Sequence, residues 1–289
     1  MSESTARPLT EAKRRAAAEH VLAASRRLVL DTGLDVTFVA PGDAGTLTNQ
    51  LVLTKGSPLG DVVFGIDSTL ASRALREGVV VPHVADAKVI DGLAAEGLTP
   101  VDFGDVCVNA DSAWFAANDV PVPTALDDLT APAYKELFVV PSPTSSSPGQ
   151  SFLLATIGAK GDGWVDYWKA LQDNGVKFAS GWTEAYYTDF SGADGNGPRP
   201  LVLSYATSPA YTVDGDASTT EALSATLQLT ARPRGPSPAT AWAAASPLMS
   251  AATTLAPSTA KRRTMASPMP WAAPVTNTTL SENFMLAST

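Results

Sequence analysis

The feature that most constrains the fold is an alternation of apolar runs typical of strands with segments typical of helices. The run LDVTFVAP predicts a strand, a turn at 42–45 leads into a helix over Thr46–Leu53, and DVVFGID predicts a second, apolar strand. A strand, helix, strand unit places its two strands parallel in one sheet. We therefore expect an α/β fold that contains a parallel pair at this point.

The remaining elements predicted up to residue 226 follow the same pattern. Gly175 stands at the C-cap position of the last predicted helix. Strands are expected in VDFGDVCVN, KELFVVPSP and LVLSYAT, and helices over Thr69–Glu77, near Pro123–Leu129, and in GQSFLLATIGAKG and GWVDYWKALQDNG.

The acidic balance of the chain limits its partners. The formal net charge is −9, and nucleic-acid binding depends on clustered Lys and Arg, so we expect no nucleic-acid partner. An acidic field suits a cationic ligand better. Cys107 is the single cysteine of the sequence, which excludes a disulfide within the chain, and its apolar run is typical of a buried, unreactive thiol.

Conspicuous polar and aromatic residues follow several predicted strands. Asp67 comes after VVFGI, Ser145–Ser147 come after LFVVP, and Tyr205 ends LVLSY. Functional groups of open α/β sheets gather beyond the carboxyl ends of strands, so these residues predict a ligand site. Two structural interpretations stay open, in which Asp67 caps the next helix and the serines form a flexible turn.

The segment GWTEAYYTDF concentrates aromatic residues in a chain that has few of them. Trp182 and Tyr186 are four residues apart and share one face of a helix, as in an ordinary core. Gly181 before Trp182 instead indicates an element that begins at an edge, where an aromatic face can stack on a flat cation. Tyr211, six residues after Tyr205, is expected on the opposing loop.

The sequence offers little for catalysis. His20 and His83 lie in unrelated contexts, the GxSxG motif is absent, and no Walker-type Gly-Lys follows the serines. We therefore expect no catalytic residues, no metal centre and no enzymatic activity.

Four motifs in order resemble the thiamine-binding substrate-binding proteins of bacterial ABC importers. They are GID after the second strand, the serine loop TSSSPG, GWTEAYY and SYATSPAY, within a similarity that runs from about Leu30 to Thr226. The resemblance implies a two-lobed, type 2-like periplasmic-binding-protein fold of the α/β class with mixed, mainly parallel sheets. It also implies a cleft between the lobes that binds thiamine, thiamine monophosphate or thiamine diphosphate as ligand, with no cofactor, in a monomer that docks on a membrane permease.

The resemblance also implies which residues contact the ligand. Related importer proteins hold ferric ion with adjacent tyrosines, so Tyr186 and Tyr187 leave a ferric-ion-binding function open as an alternative. The thiamine contacts implied by the family motifs are Asp67, Ser68, Ser145, Ser146, Ser147, Trp182, Tyr205 and Tyr211.

Both ends of the chain depart from the family pattern, and we expect the first lobe to be incomplete. A truncated or frameshifted remnant that binds nothing is therefore a further alternative. The family implies a place in the periplasm or at the extracytoplasmic surface, although no signal peptide is visible in the sequence. The expected divisions are an atypical helix-like segment (1–29), a first lobe (30–109), a second lobe (110–200), a return to the first lobe (201–230) and a poorly ordered tail rich in Ala, Pro, Ser and Thr (231–289).

Overall fold

A computed structural model of the chain describes residues 36–84, 97–192 and 197–211, together with five short strands between 213 and 288. It has an α/β fold with two main sheets, each packed against helices, which confirms the expected class and the two-lobed arrangement. The predicted segment 1–29 and most of the predicted tail lie outside the described residues.

The bounds of the elements are as follows. The strands are β1 Val36–Val39, β2 Val62–Ile66, β3 Val80–Val81, β4 Thr99–Gly104, β5 Val106–Asp111, β6 Phe138–Pro141, β7 Lys177–Ala179, β8 Leu201–Tyr205, β9 Val213–Asp214, β10 Ala217–Ser218, β11 Thr220–Ala222, β12 Leu248–Leu255 and β13 Phe284–Ser288. The helices are α1 Ala44–Leu53, α2 Ala71–Glu77, α3 Ser112–Asn118, α4 Ser147–Lys160, α5 Trp164–Asp173 and α6 Trp182–Glu184.

The first sheet has the strand order β1-β13-β2-β12-β3, with β4 beside β12. Strands β1, β2 and β3 run in one direction because an antiparallel strand lies between each neighbouring pair. The strand, helix, strand unit thus has the predicted relative direction, but the direct pairing of β1 with β2 that the sequence predicted is wrong. β13, more than 200 residues further along the chain, pairs with both of them.

The second sheet has the order β11-β5-β8-β6-β7 and is mixed. β6 pairs in parallel with β7 and β8, whereas β8 pairs antiparallel with β5. β8 therefore belongs to the second sheet, although the sequence placed 201–230 in a return to the first lobe. The two short strands β9 and β10 form a separate hairpin.

The chain passes between the two sheets at Asp105. The run VDFGDVCVN was predicted as one strand, but it holds the end of β4 in the first sheet and the start of β5 in the second. The N–H of Ala206, directly after β8, donates to the carbonyl of Asp105 at 2.9 Å. The ends of β4 and β8 therefore meet at the boundary between the lobes.

A local sequence signal explains where α5 ends, whereas another predicted helix is much shorter than expected. Gly175 has a φ of 75°, and the N–H groups of Gly175 and Val176 donate to the carbonyls of Gln172 and Leu171. This is the hydrogen-bond pattern of a Schellman C-cap, so the predicted end of α5 is confirmed. The helix predicted near Pro123–Leu129 is only a 3₁₀ turn over Leu126–Thr130.

Apolar side chains form one core in the first lobe and two in the second. Leu47 and Ile66 are fully buried between α1 and the first sheet, and Phe138 and Phe152 are buried where α4 covers the second sheet. Burial raises the pKa of the Cys107 thiol to about 12, which agrees with the expected unreactive thiol. Among the described residues, every helix is too short or too polar to cross a bilayer.

Candidate functional site

Four segments that follow strands meet at the boundary between the lobes. Asp43 follows β1 and Asp67 follows β2, both from the first sheet, whereas Ser145–Ser147 follow β6 and Tyr205 ends β8 in the second sheet. The convergence agrees with the rule that the carboxyl ends of strands build the sites of α/β proteins. We call these groups, with Trp182, the interlobe cluster.

Asp67 uses its two carboxylate oxygens for different purposes. Its Oδ1 accepts from the backbone N–H groups of Thr69 at 2.7 Å and Leu70 at 3.1 Å, which caps the turn before α2. Its Oδ2 accepts from the hydroxyl of Ser147 in the other lobe. The Thr69 hydroxyl lies 2.5 Å from Asp67 Oδ1 and 2.9 Å from Gln150 Oε1, so a second contact joins the lobes here.

The capping role considered for Asp67 is therefore present together with a contact across the lobes. The carboxylate is 4% exposed, and a buried carboxylate is stable only when its oxygens accept hydrogen bonds. The residue's place at the boundary agrees with the sequence analysis. Its contact with a ligand stays a prediction.

Asp43 is a member of the interlobe cluster that the sequence analysis missed. Its Oδ2 accepts from the backbone N–H of Trp182 at 2.7 Å. Burial raises the pKa of Asp43, while the Trp182 N–H and the nearby Ser146 hydroxyl lower it. Ser146 forms no hydrogen bond of regular geometry with described residues. A Cβ at Gly181 would lie 3.0 Å from Asp43 Oδ2, so the two segments are in close contact.

The serine loop is held in place by bonds to both lobes. The Ser145 hydroxyl donates to the carbonyl of Ser180 at 2.5 Å, and the Ser145 carbonyl accepts from the N–H of Gly45 at 2.9 Å. A Cβ at Gly45 would lie 2.6 Å from the carbonyl oxygen of Thr144. α1 of the first lobe therefore packs backbone to backbone on this loop, which is not the flexible turn that the sequence left open.

Trp182 is packed inside an aromatic cluster of the second lobe. Its ring stacks on Tyr186 with centroids 4.8 Å apart and an interplanar angle of 11°, and its Nε1–H donates to Ser204 Oγ at 2.8 Å. The Tyr186 hydroxyl donates to the Ser208 carbonyl at 3.1 Å. The helical spacing of Trp182 and Tyr186 thus serves the core, and Tyr186 covers one face of the indole.

Tyr205 joins the aromatic cluster to the carboxylates. Its ring packs on Gly104 at the end of β4, where a Cβ would lie 3.2 Å from the ring. Burial raises the pKa of the Tyr205 hydroxyl, and the negative charges of Asp67, Asp43 and Asp102 raise it further. The phenol therefore stays protonated and can donate a hydrogen bond.

Ser68 and Tyr211 are the two remaining residues that the resemblance predicted to contact the ligand. Ser68 is half-buried in the turn that Asp67 caps. Tyr211 ends a 3₁₀ turn that starts at Ser208, and its side chain lies outside what the structure describes.

Metal coordination has no visible basis in the described part of the chain. No three His, Cys, Asp or Glu side chains there are placed to hold an ion together. Tyr186 is 1% exposed and donates its hydroxyl to a carbonyl, so its position does not favour the ferric-ion alternative.

This chain is similar to several proteins that are described as thiamine-binding and periplasmic. It is 32% identical over 181 residues to the thiamine-binding periplasmic protein of Brucella abortus, a match that covers 61% of this chain and 51% of that protein. It is 30% identical over 184 residues to the thiamine-binding periplasmic protein of Escherichia coli, covering 63% and 54%. The chain thus spans about half the length of the curated relatives it matches.

Solved structures and a family model agree on the fold class. A periplasmic thiamin-binding protein superposes with a TM-score of 0.59 at 24% identity, over 74% of this chain and 61% of that one. The binding protein AfuA of Actinobacillus pleuropneumoniae superposes with a TM-score of 0.60 at 15% identity, over 81% and 69%. The model of bacterial extracellular solute-binding proteins matches residues 57–208. Because this match spans more than half of the sequence, the chain belongs to the family of bacterial extracellular solute-binding proteins.

Proposed function

We propose that the chain binds thiamine or a thiamine phosphate at the interlobe cluster and delivers it to the permease of an ABC importer. The observation that carries the proposal is the meeting of Asp43 and Asp67 from one lobe with Ser145–Ser147, Trp182 and Tyr205 from the other. The choice of thiamine as the ligand is supported by the relatives, which are named as thiamine-binding proteins.

The chemistry of the interlobe cluster suits this ligand. Thiamine carries a permanently cationic thiazolium ring, and a carboxylate or an aromatic face attracts such a cation. Each of these contacts contributes about 0.5–2 kcal/mol once it is removed from water. Asp67 and Tyr205 are the groups best placed for them, since Trp182 already stacks on Tyr186.

Ligand entry requires the lobes to exchange their direct bonds for bonds to the ligand. Those bonds join Asp43 to Trp182, Asp67 to Ser147, Thr69 to Gln150, and Gly45 to Ser145. A ligand that satisfies the same groups closes the lobes around itself and shifts the population toward the closed form.

The proposed function also implies where in the cell the protein acts and which partner it docks on. Its relatives are called periplasmic, and we propose that this chain also acts in the periplasm or at the extracytoplasmic surface. There it binds its ligand as a monomer and docks on a membrane permease.

Titration calorimetry of the purified chain with thiamine, thiamine monophosphate and thiamine diphosphate tests the proposal. We expect saturable binding of at least one form with a Kd below about 10 μM. Asp67→Asn keeps an oxygen for the capped turn but removes the charge, so it should weaken thiamine binding at least tenfold, to a ΔΔG above about 1.4 kcal/mol.

The matched control is Asp162→Asn, because Asp162 is an exposed carboxylate in the 3₁₀ turn between α4 and α5. It should bind as the natural sequence does. Absence of heat, and of any thermal shift, at millimolar concentrations of all three forms would remove the proposed function.

A further inference from the structure

The two serines of the motif SYATSPAY, Ser204 and Ser208, are buried beside the interlobe cluster. The resemblance implied ligand contacts for the two tyrosines of this motif and none for its serines. Ser204 lies on β8, and Ser208 begins the 3₁₀ turn that follows the strand. Their hydroxyl oxygens are 2.8 Å apart, so one hydroxyl donates to the other. We call them the β8 serine pair.

The β8 serine pair connects three aromatic residues of the second lobe. The indole Nε1–H of Trp182 donates to Ser204 Oγ at 2.8 Å. The backbone N–H of Tyr205 donates to Ser208 Oγ at 3.3 Å, and the Tyr186 hydroxyl donates to the Ser208 carbonyl at 3.1 Å. Groups from α6, from the π-helical turn after it and from β8 therefore meet at one pair of hydroxyls.

The bond to Ser204 restrains the indole of Trp182 because this ring is buried. An indole N–H can only donate, and a buried donor without an acceptor is unfavourable. Rotation of the ring away from Ser204 would break the bond, so the hydroxyl holds the ring in one orientation. In that orientation the centroids of the Trp182 and Tyr205 rings are 6.5 Å apart, with an interplanar angle of 47°.

Trp182 is held from the first lobe as well. Its backbone N–H donates to Asp43 Oδ2, whereas its side chain bonds to Ser204 within the second lobe. The orientation that Ser204 imposes on the side chain therefore belongs to a residue whose backbone joins the two lobes.

We propose that Ser204 and Ser208 are positioning residues, which hold the Trp182 indole and the end of β8 in the geometry that binds the ligand. The inference rests on the proposed function and deepens it, because it assigns a role in binding to two hydroxyls that need not touch the ligand. The physical reason is preorganisation, since side chains that are already fixed lose less conformational freedom when a ligand binds between them.

The experiment removes the acceptor of the indole with Ser204→Ala and measures thiamine binding by calorimetry. A buried donor that loses its acceptor frees the ring to rotate, so the Kd for thiamine should rise at least about fivefold. In proton–nitrogen correlation NMR spectra, the indole N–H signal of Trp182 should shift upfield because its hydrogen bond is lost. Trp182→Phe identifies this signal among those of the six tryptophans.

Thr156→Val is the matched control, because it removes the same kind of bond elsewhere in the second lobe. The buried Thr156 hydroxyl accepts from the indole Nε1–H of Trp168 at 2.7 Å, and Trp168 packs against a different core from Trp182. The variant should shift the Trp168 signal and lower the melting temperature. It should bind thiamine as the natural sequence does.

The outcomes separate the positioning role from the proposed function. If Ser204→Ala binds thiamine as tightly as the natural sequence, or if Thr156→Val weakens binding as much as Ser204→Ala does, the positioning role is overturned and the proposed function stands. An unshifted Trp182 signal in Ser204→Ala overturns it as well. Failure of the natural chain to bind thiamine or its phosphates overturns both.

A second variant decides the question if Ser204→Ala does not fold. Ser208→Ala removes the acceptor of the Tyr205 N–H and leaves Ser204 in place. It should also raise the Kd for thiamine at least about fivefold. Unchanged affinity of this variant would overturn the positioning role.

Discussion

At the level of single residues, the two carboxylates of the first lobe show what sequence reasoning finds and what it misses. Asp67 was predicted because it ends an apolar strand directly. Asp43 also follows a strand, but Pro41 and Gly42 stand between, so it was assigned only to a turn. The rule that polar residues gather beyond strand ends would have found it. Its contact with the Trp182 N–H, 139 residues away, leaves no local signal.

The raised pKa of Asp43 predicts a definite dependence of stability on pH. Its folded pKa lies above its ordinary value of 3.8 because of burial, so the folded chain holds this proton more tightly than the unfolded chain does. The contribution of Asp43 to stability is therefore greatest below pH 3.8 and is lost as the pH rises through the folded pKa. As the pH rises through this range, the free energy of unfolding of the natural chain should fall relative to that of Asp43→Asn.

Urea unfolding of both proteins between pH 3.5 and 7 measures this difference. A constant offset between their free energies of unfolding reflects the amide that replaces the acid. A difference that changes in the opposite direction with pH, or not at all, would contradict the assignment of Asp43 as a partly buried acid with a raised pKa.

Substitution of Gly45 tests whether binding requires the close contact between α1 of the first lobe and the serine loop of the second. Gly45→Ala places a methyl group 2.6 Å from the Thr144 carbonyl oxygen, so α1 and the serine loop must move apart. We expect a cost of about 1–3 kcal/mol and thiamine binding at least tenfold weaker.

Gly56→Ala is the matched control, because a Cβ there meets nothing within 4 Å. Melting curves and calorimetry compare the two variants. Equal affinity of both for thiamine would show that the contact between α1 and the serine loop does not matter for binding.

At the level of elements, periodicity predicted most helices but not their packing. α4 and α5 appear where their apolar patterns and Gly175 indicated. The GWTEAYYTDF segment forms only a short α6 followed by a π-helical turn over Ala185–Asp189. Turns of this kind are rare and short, so the helical spacing of the aromatic residues did not reveal this one.

The packing of α4 on β6 gives a prediction at this level. A Cβ at Gly149 would lie 2.1 Å from the Pro141 carbonyl oxygen, and backbone atoms cannot move aside as a flexible side chain does. Gly149→Ala should lower the free energy of unfolding by at least about 2 kcal/mol, measured by urea denaturation.

Gly163→Ala is the control for this change, since a Cβ at Gly163 has nothing within 4 Å. It should stay within about 0.5 kcal/mol of the natural chain. Equal stability of the two variants would mean that α4 and β6 pack less closely than the structure describes.

At the level of the whole molecule, the sequence predicted the α/β class and the boundary between lobes as the place of the site. It did not predict which sheet each strand joins. An apolar run such as VDFGDVCVN has the same pattern whether it stays in one sheet or crosses at Asp105 into another. The pairing of β2 with β12 and β13 joins residues at least 185 positions apart, such as Ile66 and Ala251, and no local pattern encodes it.

The central claim is that groups from both lobes bind one cationic ligand between them. A crystal structure of the chain grown with thiamine tests it most directly. The account predicts thiamine between the lobes, in contact with Asp67 and Tyr205 and with the serine loop. Thiamine bound on the outer surface of one lobe, with Asp67 still bonded to Ser147, would contradict it.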